Sequence, residues 1–236
     1  MDSIRGVGMM DFSGIKELTI GGVKLKELSI GGVKVWQSGR LPAGYTELEY
    51  IEATGTQYID TGVIGRSGVS AEVSISIVSP IPSAGIGIIS STNGSQRSYV
   101  EANAASPSFK WMFGSNANYN MEAQTWEYDT QYELDIDWGA TKSTMYVNNS
   151  LHMTLSHTSF NNGYSLYLLA RNNSGSPTKM GKVKLYYTKI YEDGTLARDF
   201  VPAKYRDGTV GMFDLVTGRF FTNAGTGEFT AGGVVA

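Results

Sequence analysis

Several residue types are scarce in this 236-residue chain, and each scarcity excludes a class of protein. Cysteine is absent, which excludes disulfides, a thiol nucleophile and cysteine-ligated zinc. Charged residues make up only 17% of the chain and the formal net charge is −3, so the excess of Lys and Arg that nucleic-acid binding requires is missing. No apolar run approaches the roughly 20 residues of a membrane-spanning helix. We therefore expect no nucleic-acid partner and no membrane insertion.

Proline is also scarce, with 6 residues, whereas glycine (29), tyrosine (14) and phenylalanine (9) are abundant. Glycine-rich turns and half-buried aromatic strands are typical of all-β proteins. Short predicted strands recur from residue 46 to residue 222 between clusters of Gly, Asn and Ser, and this regular spacing favours a sandwich or a barrel. No long segment has the 3.6-residue period of a helix. The first six residues lack the pattern of a secretory signal peptide, so we expect synthesis in a cytoplasm without export by that route.

An internal repeat stands near the N-terminus. Residues 16–25 (KELTIGGVKL) are followed at once by 26–35 (KELSIGGVKV), with eight of ten positions identical. Each unit reads as strand, Gly-Gly turn, strand, and alternation predicts one apolar face formed by Leu18, Ile20, Leu28 and Ile30. So short a piece cannot bury that face alone. We interpret 1–40 as a docking segment preceding a domain at 41–236; a simple hairpin packed on its own domain is the alternative.

The two ends of the second part carry a family resemblance. Residues 43–62 (AGYTELEYIEATGTQYIDTG) and 211–221 (GMFDLVTGRFF) resemble concanavalin A-like (laminin-G-like) jelly-roll modules of bacteriophage virion proteins and Gram-positive bacterial surface proteins. The resemblance spans 43–230 and implies an all-β jelly-roll sandwich with its first and last strands adjacent. It also implies that 56–60 and 198–201 are neighbours. The N-terminal repeat separately resembles segments of phage tail and other virion proteins.

One strand has the residues of a catalytic site. Glu133, Asp135 and Asp137 alternate along it, and they resemble the E-x-D-x-E strand of a glucanase family with this fold, whose acids line a sugar cleft. Asp137 is one methylene shorter than the Glu of that pattern, and a solvated strand face with Leu134 and Ile136 in the core is the alternative. We expect no catalytic residue. Neither a calcium-loop spacing nor a His-carboxylate cluster is present, so no metal or cofactor is expected.

Sugar binding requires exposed aromatic rings together with amide and charged groups. The Gly-, Ser- and Asn-rich stretch at 114–130 and the turn after residue 170 supply such side chains, and packing in the core is the alternative for the aromatics. The three polar loops at 91–96, 114–128 and 171–177 are expected to gather at one end of the sandwich. The candidate carbohydrate-binding residues are Tyr119, Trp126, Tyr128, Arg171 and Asn172. His152, between Leu151 and Met153 on a predicted strand, is expected to face solvent.

These observations together predict a non-enzymatic bacteriophage virion protein: a capsid decoration, fibre or tail-associated component. Its N-terminal segment docks on other virion proteins, a homo-oligomer such as a trimer covers the apolar face of the repeat, and the jelly roll projects outward toward a host surface glycan. The alternative is a carbohydrate-binding adhesin or a degenerate glycosidase module of a bacterial surface protein.

Overall fold

A computed structural model describes residues 19–20, 23–24, 27–30, 33–37, 40–115 and 120–235 of the chain. The chain divides into two units, Met1–Pro42 and Ala43–Ala236, and the predicted boundary after residue 40 lies close to this division. In the first unit, β1 (Thr19–Ile20) pairs with β2 (Val23–Lys24), and β3 (Glu27–Ile30) pairs with β4 (Val33–Gln37), both antiparallel. The docking role of this unit stays a prediction.

The second unit is all-β. Its strands are β5 (Tyr45–Glu47), β6 (Ile51–Thr54), β7 (Ile59–Arg66), β8 (Val69–Ile77), β9 (Ile86–Thr92), β10 (Arg97–Asn103), β11 (Ser108–Gly114), β12 (Asn120–Thr125), β13 (Gln131–Trp138), β14 (Lys142–Val147), β15 (Ser150–Ser156), β16 (Asn161–Leu168), β17 (Arg171–Asn173), β18 (Ser176–Thr178), β19 (Lys182–Glu192), β20 (Thr195–Tyr205), β21 (Val210–Asp214), β22 (Arg219–Thr222) and β23 (Thr230–Ala231).

These strands form two sheets. The smaller sheet has eight strands in the order β12-β11-β10-β9-β16-β7, with β17 and β18 attached, and the larger sheet has eleven in the order β15-β14-β13-β8-β19-β20-β21-β22, with β5, β6 and β23 attached. Pairing is antiparallel except between β17 and β9. The predicted all-β jelly-roll sandwich is confirmed. No helix occurs in the described parts of the chain, and none there could cross a membrane.

The core lies between the two sheets and follows from alternation along each strand. On β13, Leu134 and Ile136 are buried, as predicted, while the residues between them are not. The smaller sheet contributes Phe109, Trp111 and Phe113 at every second position of β11. Because alternate side chains of a strand point to opposite faces, the remaining residues of these strands form the two outer faces of the sandwich.

The beginning and the end of the module meet in the larger sheet. Strand β5 pairs with β20, β6 pairs with β23, and Leu48 bridges to Val234, so the predicted adjacency of first and last strands is confirmed. The strands that contain 56–60 and 198–201 were expected to be neighbours, but they lie in different sheets, β7 in the smaller and β20 in the larger. Backbone N–H groups of Thr54 and Thr56 donate to the side-chain oxygen of Gln57, and the turn that this fixes carries the chain into β7 of the other sheet.

The predicted exposure of His152 is also wrong. The register between β14 and β15 shifts between Met145 and Tyr146, which pair with Met153 and Leu151. A bulge of this kind adds a residue and breaks the alternation of faces. His152 is therefore half-buried and Leu151 is the exposed side chain, and burial lowers the pKa of the imidazole.

Candidate functional site

The outer face of the larger sheet carries a group of acidic and tyrosyl side chains, which we name the acidic face. It is formed by β8, β13 and β19, the three central strands of that part of the sheet. All of its members are partly or fully exposed. The acidic face consists of Glu72, Glu133, Asp135, Asp137, Tyr187, Lys189 and Tyr191.

Strand register arranges these side chains in rows across the sheet. Asp135 lies opposite Glu72, and Glu72 lies opposite Lys189. In the neighbouring row Ser74 lies between Glu133 and Tyr187. Directly opposed residues of adjacent strands have Cβ atoms about 4.5–5.5 Å apart, so each row brings groups from three strands within mutual reach.

The carboxylate of Glu133 is held by hydrogen bonds. It accepts from the Ser74 hydroxyl at 2.7 Å, from the Gln131 amide at 3.3 Å and from the Tyr187 phenol. Burial and the bond to Glu133 raise the pKa of Tyr187. Tyr187 therefore keeps its proton at neutral pH and remains a hydrogen-bond donor.

The second row is more exposed. Glu72 accepts from the Tyr191 phenol at 3.0 Å and lies 3.5 Å from the Lys189 ammonium, a solvent-exposed ion pair of the kind that contributes at most about 1 kcal/mol. Partial burial, followed by the charges of Glu72 and Asp137, raises the pKa of Asp135. Burial also raises the pKa of Asp137, although the nearby His157 acts in the opposite direction.

The arrangement is suited to hydrogen bonding with a hydroxyl-rich ligand. The phenol protons of Tyr187 and Tyr191 are used by Glu133 and Glu72. The carboxylate oxygens that remain are acceptors for the hydroxyl groups of a sugar. Hydrolysis of a glycoside needs two carboxyl groups flanking the bond. The acids here project from one side of the sheet, as in the glucanase strand that β13 resembles, and Asp137 stands where that pattern has Glu.

A serine and a histidine lie together at one margin of the larger sheet. The Ser143 hydroxyl is 2.7 Å from Nε2 of His157, and Nδ1 of that ring is 2.9 Å from the carbonyl oxygen of Thr158. Because a carbonyl only accepts, Nδ1 carries the proton and Nε2 accepts from Ser143. Ser143 is fully buried, so no substrate reaches its hydroxyl and the pair is structural.

The predicted aromatic platform is only partly available. Trp126 is 4% exposed and belongs to the core, with Nε1 donating to the carbonyl of Ser108 at 3.2 Å; this corrects its assignment as a sugar-stacking residue. The reason is that β12 pairs alongside β11 and places residue 126 over the end of the core. Tyr128 is 43% exposed beside it and stays a candidate. Tyr119 lies outside the described residues.

Two further predicted residues take structural positions. Asn172 is 2% exposed, and its amide donates to the Ser165 carbonyl and accepts from the Gly175 N–H. A side chain with both ends used inside the protein has nothing left for a ligand, so this candidate is corrected. Arg171 is half-buried and pairs with Glu101 while its guanidinium lies 4.5 Å from the centre of the Tyr99 ring.

The predicted gathering of polar loops holds for part of the set. The turn after β9 lies beside the turn after β17, because Ser174 N–H donates to the Thr92 carbonyl, and it lies beside the end of β11, because Arg97 pairs with Gly114. Residues 125–128 lie at the other end of that sheet, where Thr125 pairs with Ser108. The long stretch 114–128 therefore contains strand β12 and is not one loop.

The predicted docking residues fall in the first unit. Leu18 lies outside the described residues, Ile20 belongs to the β1–β2 pair, and Leu28 and Ile30 belong to the β3–β4 pair. Their role in docking stays a prediction.

The acidic face was found in sequence only on β13. Glu72 lies between Ala71 and Val73, and the polar members of β19 likewise alternate with buried residues. Alternation of this kind marks an outer face. It does not give the order of strands in the sheet, and only that order brings β8, β13 and β19 together.

No family model and no curated protein matches this sequence. Among solved structures, the chain is similar to the Caenorhabditis elegans galectin LEC-6, with 12% identity and a TM-score of 0.40 over 60% of this chain and 96% of the galectin. It is also similar to domains LG4-5 of the mouse laminin α1 chain, with 13% identity and a TM-score of 0.43 over 66% of this chain and 43% of that one. Galectins and laminin G domains are concanavalin A-like jelly rolls. At these values the likeness concerns the fold and carries no information about a ligand.

Proposed function

We propose that the second unit is a glycan-binding module that does not hydrolyse its ligand, and that the acidic face is its binding surface. The observation that carries the proposal is the pair of rows in which Glu133 faces Tyr187 and Asp135 faces Glu72. These groups stand on hydrogen-bonded strands, so they lose little conformational freedom when a ligand binds.

The acidic face suits neutral or basic sugars better than acidic ones. It holds four carboxylates and one ammonium group, that of Lys189. A ligand with its own carboxylate would be repelled, whereas hydroxyl and amine groups find acceptors. Tyrosine rings at the margins supply apolar area for the faces of sugar rings.

We further propose that this module belongs to a virion, where the first unit docks it to other virion proteins and the second unit projects toward a host glycan. The repeat at 16–35 and the resemblance of both parts to virion proteins support this assignment. Particles purified from the producing cells should contain the chain by mass spectrometry. Its presence in the soluble fraction alone would contradict the proposal.

Binding is tested with the full chain on an array of neutral, amino and acidic glycans, followed by calorimetric titration of the strongest ligand. Asp135→Asn and Tyr187→Phe should each weaken binding about tenfold, because the first removes a charged acceptor and the second removes the phenol that holds Glu133 in place. Glu127→Gln, a change at an exposed acid outside the acidic face, serves as the matched control. Equal affinity in all three variants would remove the acidic face from the proposal.

A degenerate glycosidase is the second candidate, since Asp135 has a raised pKa beside other carboxylates, as general acids do. The expected result is no release of reducing ends from β-glucans by the wild-type chain. Turnover that disappears in Glu133→Gln would establish hydrolysis instead.

A further inference from the structure

The outer face of the smaller sheet holds a cluster of cations around one buried carboxylate. Glu101 on β10 is 1% exposed. It accepts from Arg171, and it accepts from the Lys179 ammonium at 2.7 Å. Lys110 lies directly opposite Glu101 on β11, and Arg97 stands further along β10 on the same face. We name these four cations and Glu101 the basic cluster.

The charges of the basic cluster do not balance. Three of these cations lie beside a single carboxylate, and the fourth, Arg97, lies four residues along β10 and donates to the Gly94 carbonyl. The net charge of the whole chain is nevertheless −3. Burial is the main cause that lowers the pKa of Lys110, and Lys179, Arg171 and Arg97 lower it further, while Glu101 is the one group acting in the opposite direction. The ion pairs formed among the described residues use Arg171 and Lys179 and leave Lys110 and Arg97 without a carboxylate within 4 Å.

Two other features of this face bear on ligand binding. The Arg171 guanidinium lies over the Tyr99 ring and pairs with Glu101, so its position is set before any ligand binds. On β9, opposite Tyr99, Ser90 is fully buried and its hydroxyl has no hydrogen-bond partner among the described residues. Because the side chain is fully buried, no ligand reaches this hydroxyl and it forms no part of the site.

We propose that the basic cluster is an anion-binding site that takes the carboxylate or sulfate group of an acidic saccharide. Glu101 positions Arg171 and Lys179, and Lys110 and Arg97 supply positive charge that no carboxylate neutralises. The polar turns at 92–97 and 173–176 lie beside each other at the Arg97 end of the basic cluster. Their Asn and Ser side chains can form hydrogen bonds with the hydroxyls of the sugar there. This site is independent of the acidic face and lies on the opposite side of the sandwich.

The test uses the full chain and three hexasaccharide probes: an oligogalacturonate, a chondroitin sulfate and the neutral maltohexaose. Calorimetric titration at low salt should detect binding of an acidic probe and none of maltohexaose, and raising the salt should weaken the binding. Lys110→Gln and Arg97→Gln should each weaken it about tenfold. Lys142→Gln, the same change at an exposed lysine of the larger sheet, should leave the affinity within about twofold.

The two acidic probes distinguish the two sources of the anionic group, because a carboxylate site favours oligogalacturonate and a sulfate site favours chondroitin sulfate. Failure of both probes to bind would overturn the proposal, as would equal weakening by Lys142→Gln. If an acidic probe instead dissociates an oligomer that forms at low salt, the basic cluster contacts another copy of the chain. That result would also overturn the proposal. Asp135→Asn should leave acidic-probe binding intact, so failure of the acidic face is recognised separately.

Discussion

Two carboxylates of the same unit show how position decides what a residue does. Glu101 is buried and forms ion pairs with Arg171 and Lys179, so its charge holds those two side chains in place. Asp135 is exposed and stands beside other carboxylates, so its charge is open to a partner from outside. Both follow alternation on an outer sheet face. The two residues differ because the segment that contains Arg171 and Lys179 covers Glu101, whereas Asp135 is exposed.

Replacing Glu101 with Gln is expected to destabilise the fold. The change leaves Arg171 and Lys179 without their counter-charge in a site that is mostly shielded from water, and breaking a buried pair in this way costs about 3 kcal/mol. Urea unfolding followed by tryptophan fluorescence measures the difference. Glu127→Gln, at an exposed position, should change the midpoint little. An unchanged midpoint in the Glu101 variant would mean that the pair contributes nothing to stability.

The raised pKa of Asp135 predicts how stability depends on pH. The folded state binds this proton more tightly than the unfolded state, whose pKa is near 3.8. Stability is therefore lost as pH rises from about 3.8 through the raised folded pKa, and the loss is complete above it. Asp135→Asn removes this loss. The variant should be more stable than wild type at pH 7 and lose that advantage at pH 3, as measured by urea unfolding at both pH values.

At the scale of strands, local sequence signals agree with the structure. Asp193 and Gly194 both have positive φ, at 50° and 79°, and join β19 to β20 as the Asp-Gly pair predicts. The alternation on β13 also places Leu134 and Ile136 in the core. Signals of this kind are local, because a two-residue turn and a period of two depend on neighbours in sequence alone.

The errors arose where distant contacts decide the structure. Trp126 reads as a loop aromatic, but pairing of β12 with β11 carries it into the core. Asn172 reads as a turn amide, but β17 folds back beside β9 and uses both ends of the side chain. The basic cluster was missed altogether because Glu101 and Lys179 are distant in sequence and meet only through that fold-back.

Gly87 is predicted to be indispensable to the fold-back. A Cβ at this position would collide with the backbone carbon of Ala170 and stand 2.6 Å from the Ala170 oxygen and the Arg171 nitrogen. Backbone atoms cannot move aside as a side chain does, so Gly87→Ala should cost several times the roughly 1 kcal/mol of a simple glycine strain. Gly194→Ala is the control, since its φ is +79° but no atom lies within 4 Å. Equal urea midpoints for the two variants would contradict this reading.

Over the whole molecule, the sandwich separates charge between its two outer faces. The larger sheet presents carboxylates and phenols, and the smaller sheet presents the basic cluster, although the net charge of the chain is only −3. A single ligand cannot satisfy both faces, because they lie on opposite sides of the core. Two proposed sites of opposite preference, one for neutral or basic sugars and one for acidic sugars, follow from this separation.

The second unit is expected to fold without the first. Among the residues whose side chains the structure describes, every member of its principal core lies between Leu48 and Phe229. Its closing contacts, such as the pairing of β6 with β23, lie within the unit as well. A chain restricted to 43–236 should therefore unfold cooperatively in urea with the same midpoint as the full chain, and limited proteolysis of the full chain should leave this fragment intact. Trp138→Ala in the fragment serves as a positive control, because emptying a fully buried tryptophan site costs about 3–5 kcal/mol.

The same comparison tests docking through the first unit. If the repeat provides the contact between copies, light scattering should give a larger oligomer for the full chain than for 43–236, while titration with glycans should give equal affinities per site. The reason is that the predicted apolar face lies in the repeat, whereas both proposed sugar sites lie in the second unit. A fragment that associates as the full chain does would place the contact in the jelly roll, and a fragment that fails to fold would show that the first unit completes the core.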